Sequence, residues 1–248
     1  LTDQTILVTG ASRGIGRAIA HALADAGATV AVHYGQSREA AAEVADACGN
    51  GAQPIQADLS DLDATDTLFD RVVEAFGAVD ALVLNAGVAL PAPLDADTET
   101  WHEAWTETMY VNLRAPELLC RHALPHFQER GGGRVISVAS RAAFRGDTPD
   151  YMSYAASKAG LVALTRSVAR GFGDVGVKAF TIAPGFTRTD MAQDFIDEYG
   201  EEHATRDLAL NDLTEPEDVA PFVVFLASGH ADHATGTTID VNAGSYVH

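Results

Sequence analysis

Near its amino terminus the chain reads Thr5-Ile6-Leu7-Val8-Thr9-Gly10-Ala11-Ser12-Arg13-Gly14-Ile15-Gly16. The apolar run Ile6–Val8 is typical of a strand buried on both faces, and the glycines stand where that strand must turn into a helix. Small residues there let backbone N–H groups approach a pyrophosphate, which also gains from the amino end of the helix. Glycines alone often mark ordinary turns, but this position between strand and helix predicts a dinucleotide site.

The rest of the chain repeats this β–α alternation, which requires right-handed crossovers on both faces of a parallel sheet. We therefore predict an α/β fold, a doubly wound Rossmann-type sandwich with a seven-stranded parallel sheet flanked by helices, as a single domain over residues 1–248. The strands are predicted at Thr5–Thr9, Thr29–Tyr34, Gln53–Ala57, Ala81–Asn85, Arg134–Ala139, Val177–Ile182 and Thr237–Val241. The helices are predicted at Gly14–Ala26, Arg38–Cys48, Asp61–Phe76, Trp101–Glu129, Ser153–Phe172 and Pro216–Ala227.

A polar, acidic segment from Thr187 to Leu213 interrupts the alternation. A long insertion after the carboxyl end of a strand lies over the crevice where such sheets bind ligands. We interpret about 187–213 as a lid over the substrate. A solvated surface excursion is the alternative.

The residues after the second strand indicate whether the site accepts an adenosine ribose with a free 2′-hydroxyl or one with a 2′-phosphate. An acid there would bind the ribose hydroxyls and repel a 2′-phosphate, but Val32–Arg38 contains none. Arg13 and Arg38 offer guanidinium groups, which pair well with phosphate, and Ser37 adds a hydroxyl. The pattern favours NADP (NADPH) over NAD, although both arginines are also typical surface charges. After the third strand, Asp58 is predicted either to accept a bond from the adenine amino group or to cap the next helix.

Four polar residues predict proton-transfer chemistry at the other end of the crevice. Tyr154 and Lys158, at i and i+4, share one helix face. A nearby ammonium favours phenolate, so we expect Lys158 and the cationic nicotinamide ring together to lower the pKa of Tyr154. Ser140 follows strand five, where its hydroxyl can bind a substrate oxygen during proton transfer. Asparagine is unfavourable inside a helix, so Asn112 indicates a local kink in the helix. We expect this kink to be held by a water molecule that also connects to Lys158. An exposed helix position is the alternative for Asn112.

These motifs, in this order, resemble those of the short-chain dehydrogenase/reductase family, of the single-domain type, and are similar to 3-oxoacyl-(acyl-carrier-protein) reductases. The resemblance implies that Tyr154 is the acid/base, that Ser140 orients the substrate and that Asn112 completes a proton relay. It implies that Lys158 binds the nicotinamide ribose and lowers the pKa of Tyr154. The implied coenzyme-binding residues are Gly10, Ser12, Arg13, Gly14, Ile15, Gly16, Tyr34, Ser37, Arg38, Asp58, Leu59, Asn85, Ala86, Gly87, Tyr154, Lys158, Pro184, Gly185, Thr187 and Thr189.

The same resemblance implies a homotetramer. The faces of Trp101–Glu129 and Ser153–Phe172 would pack against one neighbour, and Gly236–Val247 would pack against another. Apolar groups near the carboxyl end, such as Tyr246 and Val247, motivate this expectation because they need a covering surface.

Composition narrows the possible partners. A formal net charge of -19 argues against nucleic acid and against an anionic membrane surface, and it disfavours an acidic carrier protein. Only Cys48 and Cys120 are present and no secretory signal opens the chain, so a cytoplasmic protein is expected. The acidic, lysine-poor surface suits either adaptation to high salt or a biased genome composition.

Other chemistries have less support. His122 and His126 stand at i and i+4, but no His-Glu-x-x-His motif or cysteine pair accompanies them, so no metal site is predicted. The remaining expectation is reduction of a ketone by NADPH, with a 3-oxoacyl thioester as the first candidate for a small-molecule substrate. The alternatives are a sugar or polyol dehydrogenase, and an NADP-binding sensor or scaffold without turnover.

Overall fold

The computed structural model describes residues 1–189, 192, 196, 200, 205–210 and 212–247. Its strands are β1 (Thr5–Val8), β2 (Thr29–Tyr34), β3 (Gln53–Gln56), β4 (Ala81–Leu84), β5 (Gly133–Val138), β6 (Val177–Pro184) and β7 (Thr238–Val241). Its α-helices are α1 (Gly14–Asp25), α2 (Arg38–Cys48), α3 (Leu62–Phe76), α4 (Thr98–Met109), α5 (Ala115–Glu129), α6 (Ala142–Arg145), α7 (Met152–Phe172) and α8 (Pro216–Ala227). A π-helix covers Tyr110–Arg114, and short 3-10 helices cover Pro149–Tyr151 and Asp232–Ala234.

The strands form a seven-stranded sheet in the order β3-β2-β1-β4-β5-β6-β7, with every pair parallel. The direction of winding reverses between β1 and β4. The crevice at the carboxyl ends of these two strands is therefore the topological switch point, where such sheets bind ligands. The predicted doubly wound parallel sheet with seven strands is confirmed.

Apolar side chains cover both faces of the sheet. Ile6 packs with the layer of α1, α2 and α8 on one face, whereas its neighbour Leu7 packs with α3, α5 and α7 on the other. Successive strand residues point to opposite faces, so a strand buried on both sides reads as an unbroken apolar run. Each fully buried leucine or isoleucine contributes roughly 1.5–3 kcal/mol, which makes this sandwich a firm support for the crevice.

The helical stretch predicted over Trp101–Glu129 is present, but its start and its interior differ from the prediction. The region begins earlier, at Thr98, because the Asp97 carboxylate caps α4 by accepting bonds from the N–H groups of Glu99 and Thr100, both at 3.0 Å. It is then divided into α4, the π-helix Tyr110–Arg114 and α5. A π-helix inserts an extra residue into the helical ladder, and such insertions often lie at functional sites.

Strands from Thr5 to Val241 share this one sheet, and the single domain over residues 1–248 stays a prediction. In the part of the chain that the structure describes, no helix combines the length and apolar character needed to cross a membrane. Both cysteines, Cys48 and Cys120, are buried and free of disulfides.

Candidate active site

The glycine-rich loop between β1 and α1 is held in a conformation that larger residues would not allow. Gly10 and Gly14 have φ angles of 64° and 53°, in the left-handed region. A Cβ on Gly16 would lie 2.1 Å from the carbonyl oxygen of Gly10 and 2.5 Å from Asn85 Nδ2. The loop thus presents backbone rather than side chains at the amino end of α1, which suits a pyrophosphate.

Thr9 and Asn85 lock this loop to the neighbouring strand. The Thr9 hydroxyl accepts bonds from the N–H groups of Asn85 and Ala86, at 2.9 and 3.1 Å, and donates to the carbonyl of Val83. Asn85 Nδ2 in turn donates to the carbonyls of Thr9 and Gly10. The Asn85 amide therefore ties the carboxyl ends of the adjacent strands β1 and β4 together.

His33 is a structural residue of the coenzyme end that sequence reasoning missed. Its Nδ1 accepts a bond from the N–H of Gly10 at 3.0 Å, and its Nε2 donates to the carbonyl of Ala57 at 3.1 Å. These two bonds require the neutral ring, and burial lowers the pKa of His33 to about 4. A polar ring within the apolar strand Thr29–Tyr34 was the available signal.

The adenosine end departs in part from expectation. Arg13, Ser37 and Leu59 line the crevice, whereas Tyr34 is buried in the core and Arg38 is an exposed residue at the start of α2. Asp58 lines the crevice and does not cap α3, because Asp61 does so. Asp58 Oδ1 instead accepts bonds from the hydroxyl and N–H of Ser60, which lower the pKa of Asp58.

Ser140 and Tyr154 meet at the carboxyl end of β5. The Ser140 hydroxyl accepts a bond from the N–H of Ala142 at 3.1 Å, and its interaction with the Tyr154 phenol favours the phenolate. The pKa of Tyr154 is raised in this structure, and a lowering by Lys158 together with the bound nicotinamide ring stays a prediction. Burial, which disfavours the phenolate, outweighs the opposing effect of the Ser140 hydroxyl, and the Asp147 carboxylate adds to the rise in the pKa of Tyr154.

Lys158 lies behind Tyr154 in the protein interior. Its ammonium donates to the carbonyl of Val138 at 3.0 Å and lies 5.8 Å from the centre of the Tyr154 ring. Burial lowers the pKa of Lys158 to about 8, so the group is mainly protonated at neutral pH. A Cβ on Gly87 would approach the Lys158 nitrogen to 3.1 Å, so the glycine leaves space beside this cation.

Asn112 occupies the π-helix and is completely buried, which excludes the exposed position. Its side chain accepts a bond from the N–H of Val88 and donates to the carbonyl of Val88, both at 2.8 Å. It also donates to the Ser157 hydroxyl, which bonds to the Tyr154 carbonyl. Asn112 therefore links the loop after β4 to the start of α7, and a connection through water to Lys158 stays a prediction.

The strand β6 ends at Pro184, and the segment after it turns back over the crevice. Gly185, Thr187 and Thr189 line the crevice, and Thr187 forms a β-bridge with Thr214. Part of the predicted lid, residues 190–191, 193–195, 197–199, 201–204 and 211, lies outside the described residues. The lid stays a prediction.

These elements surround one cavity of about 710 Å³, which is large enough for the nicotinamide end of a dinucleotide and a small substrate. The glycine loop lies at one end of this cavity, and Ser140, Tyr154 and Lys158 line the other end. This arrangement fits a nicotinamide coenzyme, with its pyrophosphate at the glycine loop. Of the predicted site, the lining residues are Gly10, Ser12, Arg13, Gly14, Ile15, Gly16, Ser37, Asp58, Leu59, Asn85, Ala86, Gly87, Ser140, Tyr154, Lys158, Pro184, Gly185, Thr187 and Thr189. Tyr34, Arg38 and Asn112 are not part of this lining.

Comparison with known proteins places this geometry in a family. A family model described as enoyl-(acyl carrier protein) reductase matches residues 10–246. The chain is 37% identical over 247 residues to the 3-oxoacyl-(acyl-carrier-protein) reductase FabG of Staphylococcus aureus, covering 98% of each chain. It is also 37% identical over 255 residues to an L-rhamnose 1-dehydrogenase (NAD(P)(+)) of Azotobacter vinelandii, covering 100% of this chain and 98% of the relative.

Solved structures agree with these relatives. A short chain dehydrogenase from Burkholderia cenocepacia, solved in complex with NADP, superposes with a TM-score of 0.91 at 36% identity. The match covers 99% of this chain and 98% of the other. The chain therefore belongs to the short-chain dehydrogenase/reductase family of oxidoreductases.

Proposed function

We propose that this enzyme reduces a ketone to a secondary alcohol with NADPH, with Tyr154 as the proton donor. The observation that carries the proposal is that Ser140 and Tyr154 line the same cavity as the glycine-rich loop. Two hydroxyls at the carboxyl end of β5 can hold one carbonyl oxygen. The coenzyme, when bound, supplies the hydride to the carbonyl carbon.

The protonation state of Tyr154 favours the reductive direction. The raised pKa of Tyr154 keeps the phenol protonated at neutral pH, so Tyr154 holds the proton that the new alcohol needs. The Ser140 hydroxyl orients the carbonyl oxygen toward that phenol. Lys158, the buried cation behind the ring, stabilises negative charge that develops on Tyr154 as the proton leaves.

The preference for NADP over NAD rests on charge at the adenosine end. Arg13 and Ser37 line the cavity there, and the turn after β2 carries no acid that would repel a 2′-phosphate. The NADP-bound structure of the Burkholderia relative supports this choice.

The substrate class is a ketone, with a 3-oxoacyl thioester as the first candidate because the Staphylococcus relative is named for that activity. Sugar or polyol oxidation is the second candidate, supported by the equally similar rhamnose dehydrogenase. A panel of ketones with NADPH, and of sugars with NADP, separates the two by the direction and rate of the change in NADPH absorbance.

Replacement of Tyr154 tests the mechanism. We expect Tyr154→Phe to lower kcat at least about 10²-fold, because general acid catalysis typically contributes that much. Tyr151→Phe, in the same cavity wall, is the matched variant and should lose far less, since its fourth following residue is Ala155 rather than a lysine. Wild-type rates in Tyr154→Phe would refute the mechanism, and NADPH binding without turnover of any ketone would favour a sensor or scaffold.

We also propose a homotetramer. The helix α8 exposes Phe222 and Phe225, and Val247 near the carboxyl end is 83% exposed, which leaves apolar groups that a second copy would cover. Light scattering at micromolar concentration should give four times the mass of the chain. A monomer would contradict the proposal.

A further inference from the structure

Arg141 extends from a fixed point beside the proposed proton donor. It follows Ser140 directly, and its N–H donates to the carbonyl of Pro184 at 2.9 Å, across from β5 to the end of β6. Its own carbonyl accepts bonds from the N–H groups of Phe144 and Arg145, both at 3.1 Å. With its backbone held on two sides, Arg141 presents its side chain to the cavity wall.

One donor atom of the partly buried Arg141 side chain lacks a hydrogen-bond partner among the described residues. This atom, Nη1, is itself buried. A desolvated, unpaired cationic donor destabilises the folded protein, so such a donor in a cleft is a candidate for binding a ligand. The pKa of Arg141 is lowered, mainly by burial and then by the positive charge of Arg145. The negative charges of Asp207 and Asp147 act in the opposite direction but do not offset this lowering.

Arg145 lies one helical turn from Arg141 and lines the same cavity. Its Nη1 lies 3.5 Å from Asp207 Oδ2, and the Arg206 Nε lies 3.7 Å from the other oxygen of the same carboxylate. One carboxylate thus serves two guanidinium groups, while Arg141 forms no ion pair with any described residue. In a chain with a net charge of -19, this concentration of arginines beside Ser140 is a departure from the general acidic surface.

We propose that Arg141, assisted by Arg145, binds an anionic group on the carbonyl substrate and makes the enzyme prefer charged ketones to neutral ones. The inference rests on the proposed ketone reduction. A guanidinium forms paired, charge-assisted bonds with carboxylate or phosphate, which would satisfy the donor that the protein leaves unpaired. The anion has two possible sources: a carboxylate on a small free ketone, or the phosphate of a pantetheine arm that carries an acyl group.

Matched substrate pairs test the preference and distinguish the sources. NADPH oxidation is measured with acetoacetate against methyl acetoacetate, and with acetoacetyl phosphopantetheine against acetoacetyl pantetheine. We expect the wild-type kcat/KM to be at least tenfold higher for the charged member of one pair, and that pair identifies the source. Arg141→Gln should lower kcat/KM for this charged ketone at least tenfold more than for its neutral partner. Arg145→Gln should lower kcat/KM for the charged ketone by a smaller factor. Arg166 is an exposed arginine on α7, and Arg166→Gln should leave the ratio of kcat/KM between charged and neutral ketone unchanged.

The outcomes separate this inference from the proposed function. Reduction of neutral ketones without preference for the charged members, or an equal loss for both members in Arg141→Gln, overturns the inference and leaves ketone reduction intact. If no ketone is reduced, ketone reduction fails, and calorimetric titration of malonate and phosphopantetheine into the NADPH-bound enzyme decides the anion site. Binding at least tenfold weaker in Arg141→Gln than in the wild type supports the site, and equal or absent binding overturns it.

Discussion

At the coenzyme end of the cavity the surface is mainly backbone, whereas at the catalytic end it is mainly side chains. The glycine loop is fixed by steric limits at Gly16 and by the bond from Gly10 to His33, all close to the switch point of the sheet. The proposed proton-transfer group combines Ser140 after β5, Tyr154 on α7 and the buried Lys158 behind them. The coenzyme end requires residues without a Cβ atom. The catalytic end requires charged and hydroxyl groups, whose burial lowers the stability of the protein.

The largest expected effect is at the coenzyme end, in Gly16→Ala. The new Cβ would lie 2.1 Å from a backbone oxygen that cannot move without its loop, so we expect a loss of at least about 3 kcal/mol of unfolding free energy and much weaker NADPH binding. Urea unfolding and NADPH fluorescence measure the two effects. Gly171→Ala is the control, because a Cβ there meets nothing within 4 Å, and it should stabilise α7 slightly. Equal behaviour of the two variants would show that backbone crowding does not shape this end.

At the catalytic end, Lys158→Met should stabilise the protein while it removes activity. The pKa of Lys158 falls from 10.5 to about 8 on folding, so burial of the charged lysine costs about 3 kcal/mol at pH 7. That cost is complete below about pH 8 and fades as the pH rises toward 10.5, where the unfolded lysine also loses its proton. Urea unfolding at pH 7 and pH 10 should therefore show a gain that shrinks with pH.

Lys178→Met provides the control for this gain, because Lys178 is the other lysine of the chain and lies away from the cavity lining. If the unfolding free energy of Lys158→Met at pH 7 is equal to or lower than that of the wild type, the bond to Val138 fully compensates the buried charge.

Acid should weaken the coenzyme end through His33. Its pKa falls from 6.5 to about 4 on folding, so between these values the unfolded chain binds a proton that the folded protein excludes. Stability is therefore lost as the pH falls from about 6.5 toward 4, by about 2 kcal/mol at pH 5. His33→Asn retains an acceptor for Gly10 and should remove this part of the acid sensitivity in thermal unfolding, whereas the exposed control His102→Asn should not. An unchanged pH profile in His33→Asn would contradict the assignment.

The smallest expected effect concerns the choice of coenzyme. Arg13→Gln should raise the KM for NADPH about tenfold, the value of one charge-assisted bond, and leave the KM for NADH almost unchanged. Steady-state kinetics with both coenzymes measure the ratio. Arg17→Gln, an exposed arginine on α1, is the control. A parallel change with both coenzymes would indicate that Arg13 does not contact the 2′-phosphate.

The sequence alone determined the sheet and the coenzyme loop because both depend on local pattern. Apolar runs define strands that are buried on both faces, and glycine spacing defines a turn whose backbone must remain bare. Tyr154 and Lys158 were also readable, since one helical turn separates them. The segment Thr187–Leu213 carried no such pattern and gave only the expectation of a lid.

Only the tertiary structure decided the features that depend on burial and on partners distant in the chain. It gave Asn112 its bonds to Val88 and Ser157 within a π-helix. It also gave His33 its bond to Gly10, and it raised the pKa of Tyr154 through burial. It also left a buried donor of Arg141 unpaired beside Ser140. Local spacing can show which groups share a face, but desolvation and hydrogen bonding depend on what the whole fold packs around them.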